Sequence, residues 1–161
     1  MPDQDTFLTG LRDRYRRYEE TVEELERNRK FGEGVFGMKG GPADNPCHDR
    51  FAEELRGCFT EFAAGQPDSA QVRRVLDFVY TEPETYRGPR CAYWMLLAVQ
   101  GLTKELIPHL SPADADALAE RFEAYYRPCD RLPAQNELLA ALRKVGTGKP
   151  AAPRFSFLKR R

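Results

Sequence analysis

Apolar side chains recur along the first part of the chain at Leu8, Leu11, Tyr15, Tyr18, Val22 and Leu25, spaced alternately by three and four residues. That spacing predicts one long helix over 3–30, with Asp3, Asp5 or Thr6 as its N-terminal cap. The apolar line is the narrow seam of a coiled coil rather than the broad stripe of a core helix.

The charges on this helix come in blocks. Arg12, Arg14, Arg16 and Arg17 are followed by Glu19, Glu20, Glu23, Glu24 and Glu26, and then by Arg27, Arg29 and Lys30. An antiparallel helix crossing near Tyr18 would lay each basic block against an acidic one. Two readings follow. The seam Leu8, Leu11, Tyr15, Tyr18, Val22 and Leu25 pairs with a second copy of the chain, or the helix packs on its own domain with its charges in water.

Residues 31–46 read as a glycine-rich loop, and the core domain as 46–145. Asn45 and Pro46 open a second helix with Phe51, Leu55, Cys58, Phe59 and Phe62 on one face, ended by Gly65-Gln66-Pro67. Asp68 or Ser69 caps a third, with Val72, Val75, Leu76 and Val79 inward. A fourth, over about 89–107, has Gln100 as its one plainly polar side chain from Cys91 to Leu102. A helix apolar on nearly every side belongs inside a bundle, so Trp94 and Leu97 are expected at the centre of the fold. Ser111-Pro112 opens a fifth, with Leu118, Phe122 and Tyr125 together, and Leu132-Pro133 a sixth, with Leu138, Leu139 and Leu142, stopped by Gly146. A faint repeat relates Asp68 and Tyr80 to Asp114 and Tyr126, and Arg87 and Pro89 to Arg131 and Pro133.

Composition narrows the fold class to all-α, about six helices around an apolar fourth. With one isoleucine and seven valines among 161 residues, a large sheet has little to build its buried faces from. The net charge is zero, which argues against a wholly nucleic-acid-binding surface. The cations of 146–161 (Lys149, Arg154, Lys159, Arg160, Arg161) have no acid among them, so this tail is expected to dock on the protein or a twin, or to touch a polyanion. No apolar run is long enough for a membrane span. The four cysteines are sparse and irregularly spaced, which suggests thiols and a cytoplasmic setting.

Candidate chemistry is thin. Gly32-Glu33-Gly34-Val35-Phe36-Gly37 has the letters of a dinucleotide loop, but a charged helix rather than a strand precedes it. Phe31, Phe36 and Met38 in that loop, and Phe155, Phe157 and Leu158 in the tail, suit docking on a neighbour instead. Cys47 and His48 are the candidate reactive pair, because the first turn of a helix favours a thiolate. Adjacent helical residues diverge, however, so His48 is not the natural base for that sulfur. Cys47, His48, Cys58, Cys91, His109 and Cys129 lack the paired spacing of a zinc site. The carboxylates at Glu53 and Glu54, Glu82 and Glu84, and Asp114 and Asp116 suit solvated faces and helix starts. No catalytic set, metal or cofactor is expected. The reading is a non-catalytic protein–protein interaction or scaffold module that self-associates as a homodimer. The alternatives are a small enzyme or redox protein using Cys47, and a nucleic-acid-associated factor acting through the tail, with nucleic acid the less favoured partner.

Overall fold

A computed structural model describes residues 4–27, 46–86 and 89–146. Phe31, Phe36, Met38, Phe155, Phe157 and Leu158 lie outside the described residues, as do the Gly32–Gly37 loop and the basic tail beyond Gly146.

The described residues form an all-α bundle: α1 (Gln4–Arg27), α2 (Pro46–Ala64), α3 (Ser69–Thr81), α4 (Pro89–Val99), α5 (Pro112–Tyr125) and α6 (Pro133–Val145). Short 3₁₀ turns cover Glu82–Thr85, Leu102–Glu105, Ile107–His109 and Pro128–Asp130. Local chemistry sets the helix starts. At α3 the Asp68 side chain accepts from the Gln71 N–H (2.8 Å), and Gln71 returns the bond by accepting from Asp68 N–H (2.9 Å). Ser111 accepts from the Asp114 N–H at 3.1 Å ahead of Pro112. At α6, where Leu132 has no polar side chain, Gln135 accepts from the Leu132 N–H at 2.8 Å. That helix stops at Gly146, where a Cβ would run into the Asp116 carboxylate.

Three helices run side by side in the same direction. Arg12 and Asp5 of α1 meet Glu82 and Arg74 across the α1–α3 boundary, each at 2.8 Å. Between α3 and α5, Ser69 bonds Asp114, Asp77 pairs with Arg121, and the Tyr126 hydroxyl donates to the Tyr80 carbonyl. The repeat positions Asp68 and Tyr80, Asp114 and Tyr126 are therefore the matching ends of two adjacent parallel helices. α2 runs antiparallel to α1, with Phe7 stacked on Phe62 (4.7 Å) at one end and Tyr18 on Phe51 (4.2 Å) at the other. α6 runs antiparallel to α5, clamped where Arg143 meets Glu123 (2.8 Å) and Asp116 (3.4 Å).

The α1 seam is spent on this packing. Leu11, Tyr15, Tyr18 and Val22 are buried, Leu8 packs against the core, and only Leu25 is exposed, at 41%. The antiparallel helix that packs on the seam near Tyr18 is α2 of the same chain. The seam is consequently not a surface that a second copy can reach.

α4 departs from expectation in two respects. It ends at Val99, before a turn at Gln100-Gly101, and the chain continues in 3₁₀ turns. Its Met95, Leu96 and Val99 are buried, but Leu97 is 39% exposed, Tyr93 42% exposed and Trp94 half-buried. The core is thus shared among all the helices, and Trp94 and Leu97 sit at its margin. On α5, Tyr126 is buried and Tyr125 faces out at 46%. The chain turns extended at Tyr126, so the inward position falls one residue later than helical spacing gives.

Two stability measurements test this arrangement. Leu96→Ala should cost about 2–5 kcal/mol in urea unfolding and Leu97→Ala no more than about 0.5 kcal/mol; equal losses would place α4 in another orientation. Tyr15 is fully buried and its hydroxyl finds no hydrogen-bond partner among the described residues. Leaving such a group unpaired costs about 1–3 kcal/mol. Tyr15→Phe should therefore hold or raise stability, and a clear loss would mean that the hydroxyl is engaged.

Candidate functional site

The start of α2 lies against the middle of α1, and together they enclose a cleft of about 380 Å³ lined by Arg14, Arg17, Tyr18, Thr21, Cys47, Arg50, Phe51 and Glu54. The floor follows from the apolar spacing of both helices. Tyr18 and Phe51 stack with their rings 8° from parallel, and Tyr15 supports Phe51 from behind at 5.5 Å. The rim is charged, because the flanking positions of two amphipathic helices meet there. Arg50 donates to Glu54 at 3.0 Å along α2, and Arg17 approaches the same carboxylate from α1 at 3.7 Å. Arg14 folds back and donates to the Gly10 carbonyl at 2.8 Å.

The candidate reactive pair is divided between two environments. Cys47 is half-buried on the cleft wall, and burial pushes its thiol pKa up. The backbone N–H groups of the first turn favour the thiolate, but they are outweighed. His48 points the other way and is buried. Its Nδ1 lies 2.9 Å from the Tyr18 hydroxyl and its ring meets Trp94 edge-on at 5.9 Å. Burial lowers the His48 pKa, which favours a neutral imidazole able to accept a hydrogen bond from the Tyr18 hydroxyl at Nδ1. The histidine is a packing and hydrogen-bonding element that joins α1, α2 and α4, and an activated thiolate is not what this geometry supplies.

The remaining candidates are scattered. Cys58 is half-buried on α2 with its pKa raised by burial, Cys129 is exposed, and His109 is exposed at the end of a 3₁₀ turn. The Cys91 side chain lies outside the described residues. Among the described residues no three His, Cys, Asp or Glu side chains gather where a metal ion could be held. No described helix is long and apolar enough to cross a membrane. Asp114 is held below the usual carboxylate range by hydrogen bonds from Ser69 and Ser111, with Arg73 adding to the effect. It ties two helix starts together.

Two features escape sequence reading. One is the approach of Arg17 to the Arg50–Glu54 pair, which depends on the antiparallel register of α1 and α2. The other is the exposed face of α4. No protein family, curated protein or solved structure matches the chain.

The burial of His48, which lowers its pKa, makes stability depend on pH. As pH falls, the unfolded chain takes up the histidine proton near its ordinary pKa of about 6.5, while the folded chain resists until a lower pH. Protonation in that window favours the unfolded state. Stability should therefore fall between pH 7 and pH 5, and the fall should be smaller in His48→Gln, measured by urea unfolding at each pH. An identical pH profile in the variant would show that His48 is not responsible.

Proposed function

We propose that this protein is a non-catalytic interaction module that pairs with a second copy of itself through the exposed face of α4. One observation carries the reading. Tyr93 and Leu97, four residues apart and both substantially exposed, lie beside the half-buried Trp94 and Ala98. The Tyr93 and Trp94 rings meet edge-on at 5.0 Å. Gly101, further along, has open space where a side chain would stand. From Cys91 to Thr103 the chain carries no charged residue, although 31% of the whole is charged.

Surface apolar residues scattered singly need no explanation, but a grouped uncharged face favours contact with protein. A two-fold contact lays one patch on its own copy, so a charged patch would meet its like. This face has no such charge and suits its twin. The buried α1 seam takes no part in the pairing. The sparse, irregularly placed cysteines favour a reducing, cytoplasmic setting.

Sedimentation velocity over a range of concentrations tests the proposal. The wild-type chain should show a concentration-dependent dimer, and Tyr93→Glu/Leu97→Glu should sediment as a monomer with unchanged helical circular dichroism. Both positions are exposed, so the variant should fold. A dimer that survives the substitution, or a wild type monomeric at about 100 μM, an affinity of roughly −5 kcal/mol or weaker, would overturn it.

A further inference from the structure

We propose that the α1–α2 cleft binds a small phosphomonoester carrying a flat apolar group. Three guanidinium side chains line the cleft and one carboxylate answers them. Glu54 takes one hydrogen bond from Arg50, and Arg17, at 3.7 Å, stands beyond hydrogen-bonding reach of it. Arg14 spends one N–H on the Gly10 carbonyl, and its Nε, buried, has no hydrogen-bond partner among the described residues. The cleft therefore holds more positive charge than its one carboxylate answers.

Geometry selects the ligand. Arg17 and Arg50 are 65% and 82% exposed and approach from opposite helices. A phosphoryl dianion presents three oxygens, which two guanidinium forks can grip at once. The Tyr18 and Phe51 rings form an apolar wall beside these charges, which suits a planar group attached to the phosphate. The volume of about 380 Å³ falls within the range of roughly 300–1,000 Å³ usual for small-molecule sites. Asp13, Arg16 and Glu20 line a separate shallow basin on the outer side of α1, which shares Arg14 and Arg17 with the cleft. The cleft itself has one acid, Glu54, which occupies the place an anion would take.

Phenyl phosphate is the probe, titrated at fixed ionic strength and followed by amide NMR shifts. Saturable binding should move the signals of Tyr18, Cys47 and Phe51, while phenol produces no saturation and inorganic phosphate binds more weakly. Arg17→Gln/Arg50→Gln should weaken binding by at least about tenfold, since charge-assisted hydrogen bonds are lost. Glu54→Gln should tighten it severalfold, because the resident carboxylate no longer competes. Absence of saturation by about 10 mM, below which an affinity of a few kcal/mol would be seen, overturns the proposal. So does undiminished binding by the double arginine variant, equal binding of phenol, or weaker binding by Glu54→Gln. The cleft shares no lining residue with the α4 face, so its outcome is independent of self-association.

Discussion

The structure depends on covering one line of side chains, the seam of α1. Tyr15 and Tyr18 are the largest members of that line, and neither can be left in water without losing most of its contact area. Tyr15 meets Phe51 of α2, Phe78 of α3 and Tyr86 beyond the 3₁₀ turn after α3. Tyr18 stacks on Phe51 and meets His48. Aromatic contacts of this kind add about 0.5–1.5 kcal/mol each beyond the area they bury. They also fix the rotation of α1 about its axis, and with it the direction in which every arginine and glutamate of that helix projects. The ion pairs follow from this rotation. Arg12 lies over the Phe78 ring at 5.1 Å and reaches Glu82, and Arg17 faces Glu54. Exposed pairs contribute little by themselves, so they report the packing more than they cause it.

The same covering explains how the fold extends. α1, α3 and α5 are parallel neighbours, and each is backed by a following helix or helical segment. The ends of α3 and α5 are joined by polar groups rather than by apolar contact alone. At the N-terminal end Ser69 and Ser111 both donate to Asp114, and the Ser111 N–H donates to Ser69 at 2.7 Å. At the C-terminal end the Tyr126 hydroxyl is anchored to the Tyr80 carbonyl, and the Tyr80 hydroxyl meets Thr103 at 2.9 Å. The two tyrosine bonds satisfy groups that would otherwise be buried unpaired. Burial pushes the Tyr126 hydroxyl far above its usual pKa and Tyr86 up to about 12, so these phenols stay protonated donors across the ordinary pH range.

Local chemistry was legible from the residues. Asp68, Ser111-Pro112 and Leu132-Pro133 mark helix starts through their own hydrogen-bonding capacity and backbone restriction, and the valines and leucine of α3 follow helical spacing to the core. Which surface covers an apolar line was not legible. A seam of narrow spacing says that a partner helix exists, and the charge blocks say that it runs antiparallel. Neither says whether that helix belongs to the same chain, because coverage depends on long-range packing. The converse failure occurs at α4. An uncharged run reads as wholly buried, but burial requires neighbours on every side, and Leu97 lacks them. Tyr125 fails for a smaller reason, a change of backbone direction at Tyr126 that shifts the inward position by one residue. The cleft was invisible for the same cause as the seam's partner. Arg17 lies on α1 and the Arg50–Glu54 pair on α2, and they acquire a common address only through the α1–α2 register.

The two unusual surfaces of the protein have one origin. α1 carries Arg12, Arg14, Arg16 and Arg17 around its middle, and the antiparallel α2 offers Glu54 but also adds Arg50. Helix pairing thus leaves an excess of positive charge at the α1–α2 junction. α4 lies across the other side of that junction, through Trp94 on His48. His48 is therefore the point where the charged cleft and the uncharged face approach each other through the protein, with Tyr18 shared between them: its ring lines the cleft, and its hydroxyl bonds the histidine that supports Trp94.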